Sequence, residues 1–157
     1  MASGLLIRDV ASDIAHLGMS LGGEFFCVPV LQVQEIQNYQ NATSIPGSPG
    51  WLRGVMNLRG DILSVVDISS FLGLSPVRID RKTKLVVVEG ERYNTAILVD
   101  AVMEVLAILP NEIRPMEEIT GGVEKAFIRG AYLSKETLYA VLDMNRLLES
   151  EQMLQFH

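Results

Sequence analysis

Gly50-Trp51-Leu52-Arg53-Gly54-Val55-Met56-Asn57-Leu58-Arg59-Gly60-Asp61-Ile62-Leu63-Ser64-Val65-Val66-Asp67 is the stretch whose reading decides the fold. Two apolar runs, residues 55–58 and 62–66, flank Arg59-Gly60-Asp61. Glycine takes positive φ at no steric cost, and an aspartate hydrogen-bonds its own turn backbone. With Val, Ile and Leu on both sides, the stretch reads as a β-hairpin with its tip at Arg59-Gly60. A permanently charged guanidinium on a tight tip is a candidate for recognition.

The stretch has an echo. Phe127-Ile128-Arg129-Gly130 aligns with Trp51-Leu52-Arg53-Gly54 at an offset of 76 (127 − 51). Without a gap, Val65-Val66-Asp67-Ile68 then falls on Val141-Leu142-Asp143-Met144. Upstream, residues 28–36 resemble residues 97–105 at an offset of 69 (97 − 28). Similarity repeated in this order suggests two copies of one small β unit.

The chain has 157 residues, 48% of them hydrophobic and 20% charged, which suits one compact domain or two small subdomains sharing a core. Its single cysteine, Cys27, rules out an internal disulfide framework, fits a reducing compartment, and sits among Phe25, Phe26 and Val28 as a small buried hydrophobe. No apolar run is long enough to span a bilayer, and no secretory signal pattern opens the chain, so a cytosolic protein without membrane insertion is expected. A net charge of −6 disfavours nucleic acid as a partner.

In chain order, Leu5, Leu6, Ile7, Val10, Ile14 and Leu17 recur near helical spacing. Residues 1–13 therefore read as an extension, helical or flexible, before a single domain at 14–150 made of two β subdomains and a tail at 151–157. From Ala15 the period becomes two, Gly22-Gly23 supplies a turn, and residues 24–30 return as a strand. Residues 32–36 read equally well as a helical turn or a further strand. Ile45-Pro46-Gly47-Ser48-Pro49-Gly50 is a turn-rich connector. Ser69 is the expected N-cap, and Gly73 the stop, of a short helical turn. Residues 75–83 read as polar linker, with Arg78, Arg81, Lys82 and then Lys84 solvated. Residues 85–88 and 95–99 form another hairpin, residues 108–115 a connector, and Thr120-Gly121-Gly122 a loop. Asn145 is the expected cap of a final amphipathic helix, with Leu147 and Leu148 inward and Met153 and Leu154 as further candidates. Many short strands with turn chemistry between them favour a mostly-β architecture of two small packed barrels.

The residues carry little catalytic chemistry. There is no phosphate-binding glycine loop, no Gly-x-Ser-x-Gly elbow and no His/Cys cluster with zinc spacing, so no metal or cofactor is expected. His16 and His157 are the only candidate neutral-pH bases. Asp67 and Asp143 occupy the same place in both copies, which favours strand-end caps over an acid–base pair. A small β-barrel enzyme or ligand-binding module would need convergent polar groups that the sequence does not offer.

The same residues resemble the CheW-like adaptor family of bacterial chemotaxis, from about His16 to the end of the last helix. The motifs that carry the resemblance are Val33-Gln34-Glu35-Ile36, Ile45-Pro46, Arg53-Gly54-Val55, Asn57-Leu58-Arg59-Gly60, Val65-Val66-Asp67, Leu98-Val99-Asp100-x-Val102 and Ile113-Arg114-Pro115. The resemblance implies two intertwined five-stranded, SH3-like barrels with a C-terminal helix, and no catalysis. It implies an adaptor that couples the cytoplasmic tip of a methyl-accepting receptor to the regulatory domain of a CheA-type histidine kinase, with other CheW-like adaptors joining in rings, in arrays at the inner membrane. By position, Val33, Glu35, Gly54 and Arg59 match the receptor-facing part of the family pattern. Val99 and Val102 match an apolar groove between the subdomains, and Arg114 and Ile119 match the kinase-facing part. Residues 3–13 have no counterpart in the pattern, and the basic residues within 73–83 stand where acidic linkers are common. Both leave flagellar chemotaxis and a pilus-based twitching or phototaxis system open as the pathway served.

Overall fold

The computed structural model describes residues 13–115 and 125–156. Among these residues, ten strands form two five-stranded sheets, each curled into a small SH3-like barrel. In chain order they are β1 (Ala15–Leu21), β2 (Glu24–Pro29), β3 (Val33–Asn38), β4 (Leu52–Leu58), β5 (Asp61–Asp67), β6 (Lys84–Glu89), β7 (Asn94–Val99), β8 (Ala101–Ala107), β9 (Ile128–Ser134) and β10 (Thr137–Leu142). The ambiguous segment resolves both ways, since a 3-10 turn at Val30–Gln32 leads directly into β3.

Strand order explains the echo. One sheet runs β8-β1-β2-β10-β9 and the other β3-β6-β7-β5-β4. Each copy of the repeat supplies five consecutive strands, β1–β5 and β6–β10. Each barrel takes the first two strands of one copy with the last three of the other. The central pairings are parallel and equivalent, with Val141 beside Cys27 in one sheet and Val65 beside Ala96 in the other. The copies are thus intertwined, and neither barrel can close without the other half of the chain.

Both faces of many strands are therefore buried, so runs such as Leu85–Val88 are continuously apolar rather than alternating. Successive residues of β7 show the division. Ala96 and Leu98 face one barrel's interior, with Met56, Leu63, Val65 and Leu85. Ile97 and Val99 face a core shared by both barrels, with Leu17, Phe26, Val66, Ile128 and Leu142. Cys27 lies inside the other barrel beside Tyr139 and Val141, and burial pushes its thiol pKa up to about 12, leaving it an unreactive hydrophobe.

The turns follow local chemistry. Gly22 and Gly23 both have positive φ in the two-residue turn between β1 and β2. The caps differ from the expectation. Asp67, not Ser69, caps the short helix α1 (Ile68–Phe71) by accepting from Ser70 N–H at 3.1 Å. Asp143, not Asn145, caps α2 (Met144–Leu148) by accepting from Arg146 N–H at 3.1 Å. In each case the strand ends on the aspartate itself or the residue before it, so the carboxylate is already at the N-cap and the polar residue two further on lies inside the helix. The expected single terminal helix also breaks, because Ser150 caps a separate helix, α3 (Glu151–Leu154). Its Met153 is fully buried in the shared core, so residues 151–154 are part of the packed fold.

The expected N-terminal helix or arm, the Thr120-Gly121-Gly122 loop, Ile119 and His157 lie outside the described residues. No helix among the described residues is long and apolar enough to cross a membrane.

Candidate functional site

Bulges at equivalent positions shape both barrels. Arg53 is the extra residue where β4 meets β5, and Arg129 the extra residue where β9 meets β10. Such a bulge re-aims a side chain. Arg53 Nη2 donates to Asp67 Oδ2 at 3.1 Å, whereas Arg129 stands 3.9 Å from Asp143. Beside the first bulge, Gly54 has φ +142, and a Cβ there would lie 2.1 Å from the Thr43 carbonyl oxygen. Gly54 thus reads as a backbone requirement, with no side chain to offer a partner.

The hairpin tip carries the candidate recognition residue, Arg59. Arg59 (φ +51) and Gly60 (φ +93) make a two-residue turn between Leu58 and Asp61, and Gly60 N–H donates to Asn57 Oδ1 at 3.0 Å. Lys135, at the equivalent place in the second hairpin, has φ +55, so the turn itself demands this backbone. Across the barrel mouth, a bulge at Gln34 in β3 sets Glu35. Both carboxylate oxygens of Glu35 accept from Arg59 Nη2, one of them at 2.7 Å. Gln37 Nε2 also donates to Glu35, at 3.0 Å. The Glu35 hydrogen bond and charge raise the Arg59 pKa further, so the guanidinium is charged at every physiological pH.

The arginine side chain is 70% exposed and Glu35 24%. An exposed pair contributes little to stability. Its effect is positional, since one nitrogen is tied down while Nε and Nη1 have no partner among the described residues. A guanidinium oriented in this way offers carboxylates or carbonyl oxygens a prepared fork of donors. On the strand leaving the tip, Ile62 is 65% exposed. Ile62 opens the apolar run 62–66, and nothing in that run sets it apart as an outward residue.

The second copy has diverged. Glu104, equivalent to Glu35, accepts from the Tyr139 hydroxyl at 3.1 Å. Burial and then this bond push the Tyr139 pKa up to about 12, so the hydroxyl remains a donor. Among the described residues, only the first copy sets a guanidinium across its barrel mouth.

The other candidates fall in different places. Val33 and Val102, equivalent positions in the two copies, are half-buried against the shared core. Val99 is wholly buried and supports that surface from beneath rather than lining it. Arg114 is exposed, and its backbone exchanges both hydrogen bonds with Ala131, at 2.7 and 3.0 Å, where the first copy has Thr43 and Val55. His16 is buried and its Nδ1 lies 2.8 Å from the Ile14 carbonyl; burial lowers its pKa, so it is a neutral structural group.

No group of residues with metal-ligand chemistry occurs among the described residues. A cleft of about 600 Å³ is lined in part by Phe127, Asp143, Arg146 and Glu149. Asp143 caps α2 there, Arg146 reaches the Ala126 carbonyl at 3.4 Å, and Glu149 pairs through Oε1 with Arg92 at 3.1 Å, while its buried Oε2 has no hydrogen-bond partner among the described residues.

Fold and site together define a paired SH3-like barrel module with an arginine–glutamate pair across the rim of one barrel. The model of the CheW-like domain matches residues 15–152, and the chain belongs to that family. The probable chemotaxis protein CheW of Rhizobium etli is 29% identical over 140 residues, covering 89% of this chain and 90% of that protein. Chemotaxis protein CheW of Klebsiella aerogenes is 31% identical, over 85% of this chain and 81% of its own. Protein PilI of Pseudomonas aeruginosa is 38% identical over a shorter match, 65% of this chain and 58% of that protein. Among solved structures, the scaffolding protein TtCheW of Thermoanaerobacter tengcongensis matches with a TM-score of 0.79 at 26% identity, covering 88% of this chain and 89% of that one.

Proposed function

We propose that this chain is a non-catalytic, cytoplasmic adaptor that couples a methyl-accepting receptor to a CheA-type histidine kinase. The observation that carries the reading is the Arg59–Glu35 pair, a guanidinium held over one barrel mouth with donors to spare. A receptor's cytoplasmic helical hairpin would present carboxylates and an apolar stripe to this rim. Glu35 and Arg59 supply the polar contact, and Val33 and Val102 the apolar one, with Val99 and Gly54 supporting them from within. Family membership and relatives named as chemotaxis proteins support the same reading. A second reading places the chain in a pilus-based motility system, favoured by the 38% identity to Protein PilI.

The test reconstitutes the chain with a receptor cytoplasmic fragment and a CheA-type kinase. Kinase autophosphorylation should respond to receptor only when the chain is present; an identical response without it would overturn the adaptor reading. Recovery of a flagellar or a pilus-system kinase with the tagged chain from its native cell decides between the two pathways.

The kinase-facing assignment rests on Arg114, with Ile119 as its neighbour in the family pattern. Arg114→Asp reverses the local charge, and a like-charge contact across an interface costs several kcal/mol. We expect association with the kinase regulatory domain to weaken by about tenfold or more, with receptor binding unchanged. Unaltered kinase binding by this variant would remove the loop from the interface.

A further inference from the structure

The linker between the two repeats is built rather than loose. Arg78, Ile79, Asp80, Arg81 and Lys82 are all exposed, between buried anchors at Val77 and Thr83. Asp67 Oδ2 accepts from Val77 N–H at 3.0 Å, and Arg53 Nη2 donates to the Val77 carbonyl at 3.3 Å. Thr83 Oγ1 accepts from Asp80 N–H at 2.8 Å and donates to the Arg78 carbonyl at 3.3 Å. Lys82 N–H donates to Asp80 Oδ1 at 2.7 Å, so the loop's one carboxylate is occupied by its own backbone. None of the three cations forms an ion pair among the described residues. The chain as a whole is at −6, while residues 78–82 carry three cations and one carboxylate, +2; everything else therefore sums to −8. At the centre of this positive knuckle, Ile79 is 41% exposed.

We infer that residues 78–82 form a docking knuckle for an acidic protein segment that also offers an apolar contact for Ile79. The chemistry selects among anionic partners. Membrane-attracted basic segments carry four to eight cations and need no fixed shape; here there are three on a backbone held by hydrogen bonds to the buried Asp67 and Thr83 side chains. Nucleic acid would meet a chain that is strongly negative elsewhere. Two arginine forks on an ordered loop suit carboxylates, and a loop already ordered loses little entropy on binding. The knuckle stands at the Asp67 end of β5 and the Arg59 tip at the Asp61 end, about 20 Å apart along the strand. The inference is therefore independent of the receptor contact.

Fluorescence anisotropy of a labelled, helix-forming Glu/Leu peptide, titrated with the full chain, tests it. The wild-type chain should bind, more weakly as salt rises. The triple variant Arg78→Glu/Arg81→Glu/Lys82→Glu should bind at least about tenfold more weakly, and Ile79→Ser about threefold. Both variants should melt with the wild type and titrate the receptor fragment normally. Equal binding by the charge-reversed chain, absence of binding by the wild type, or stronger wild-type binding to phosphatidylserine vesicles than to the peptide would each overturn the inference. Loss of receptor binding in the triple variant would make the knuckle part of the receptor site instead.

Discussion

Asp67→Ala should destabilise the protein by about 3 kcal/mol, and Asp143→Ala, its counterpart in the second copy, by only about 1 kcal/mol. Both aspartates cap a short helix, which is worth about 1 kcal/mol in each case. The difference lies in what else they hold. Asp67 is fully buried and also accepts from Val77 N–H and Arg53 Nη2. Its loss leaves a buried N–H unpaired, at about 1–3 kcal/mol, and frees a half-buried arginine. Asp143 is 31% exposed, with Arg129 at 3.9 Å, so water replaces much of what is removed. Urea denaturation of the two single variants checks this, with equal losses counting against the proposed division of roles. Asp67→Asn should recover part of the stability, because an amide oxygen still accepts from Ser70 or Val77.

Gly54→Ala should cost a similar amount, about 3 kcal/mol, for a different reason. A Cβ would meet the Thr43 carbonyl oxygen at 2.1 Å. That carbonyl cannot easily retreat, since Thr43 and Val55 exchange hydrogen bonds at 2.8 and 2.9 Å. The backbone at φ +142 adds strain of about 1–3 kcal/mol for any L residue. Gly50→Ala is the matching control, with no atom within 4 Å of its built Cβ, and should be neutral within about 0.5 kcal/mol. Receptor binding lost by Gly54→Ala in step with its fraction folded would mark the glycine as structural. Binding lost by a stably folded Gly54→Ala would place it in the contact itself.

Much of this was legible in the sequence. The Arg59-Gly60 turn, the two-copy repeat and the duplicated aspartates all lie in local chemistry, where hydrogen bonding and φ preference decide within a few residues. The exchange of β3–β5 and β8–β10 between the copies was not derivable from the residues. The equivalent strands of the two copies have similar patterns that fit either sheet, and only tertiary packing selects the partner. The caps were misplaced by two residues because Ser69 and Asn145 are good capping types, yet each lies inside the helix that the preceding aspartate begins. Continuous runs such as Leu85-Val86-Val87-Val88 show no alternation because each strand divides its side chains between a barrel interior and the shared core. The Arg59–Glu35 pair joins residues separated by 24 positions, so each could be named from sequence while their contact could not.

The most direct test of the account is a calorimetric titration of a receptor cytoplasmic fragment with wild-type and Arg59→Ala chains, with a thermal melt of each. An exposed tip residue leaves the core untouched, so Tm should agree within about 2 °C. Binding should weaken roughly ten- to a hundredfold, the range for truncating an arginine anchor in an interface, and Arg59→Lys should recover only part of it because an ammonium lacks the planar fork. Receptor binding by a folded Arg59→Ala chain that equals the wild type would contradict the assignment of the hairpin tip as the receptor contact.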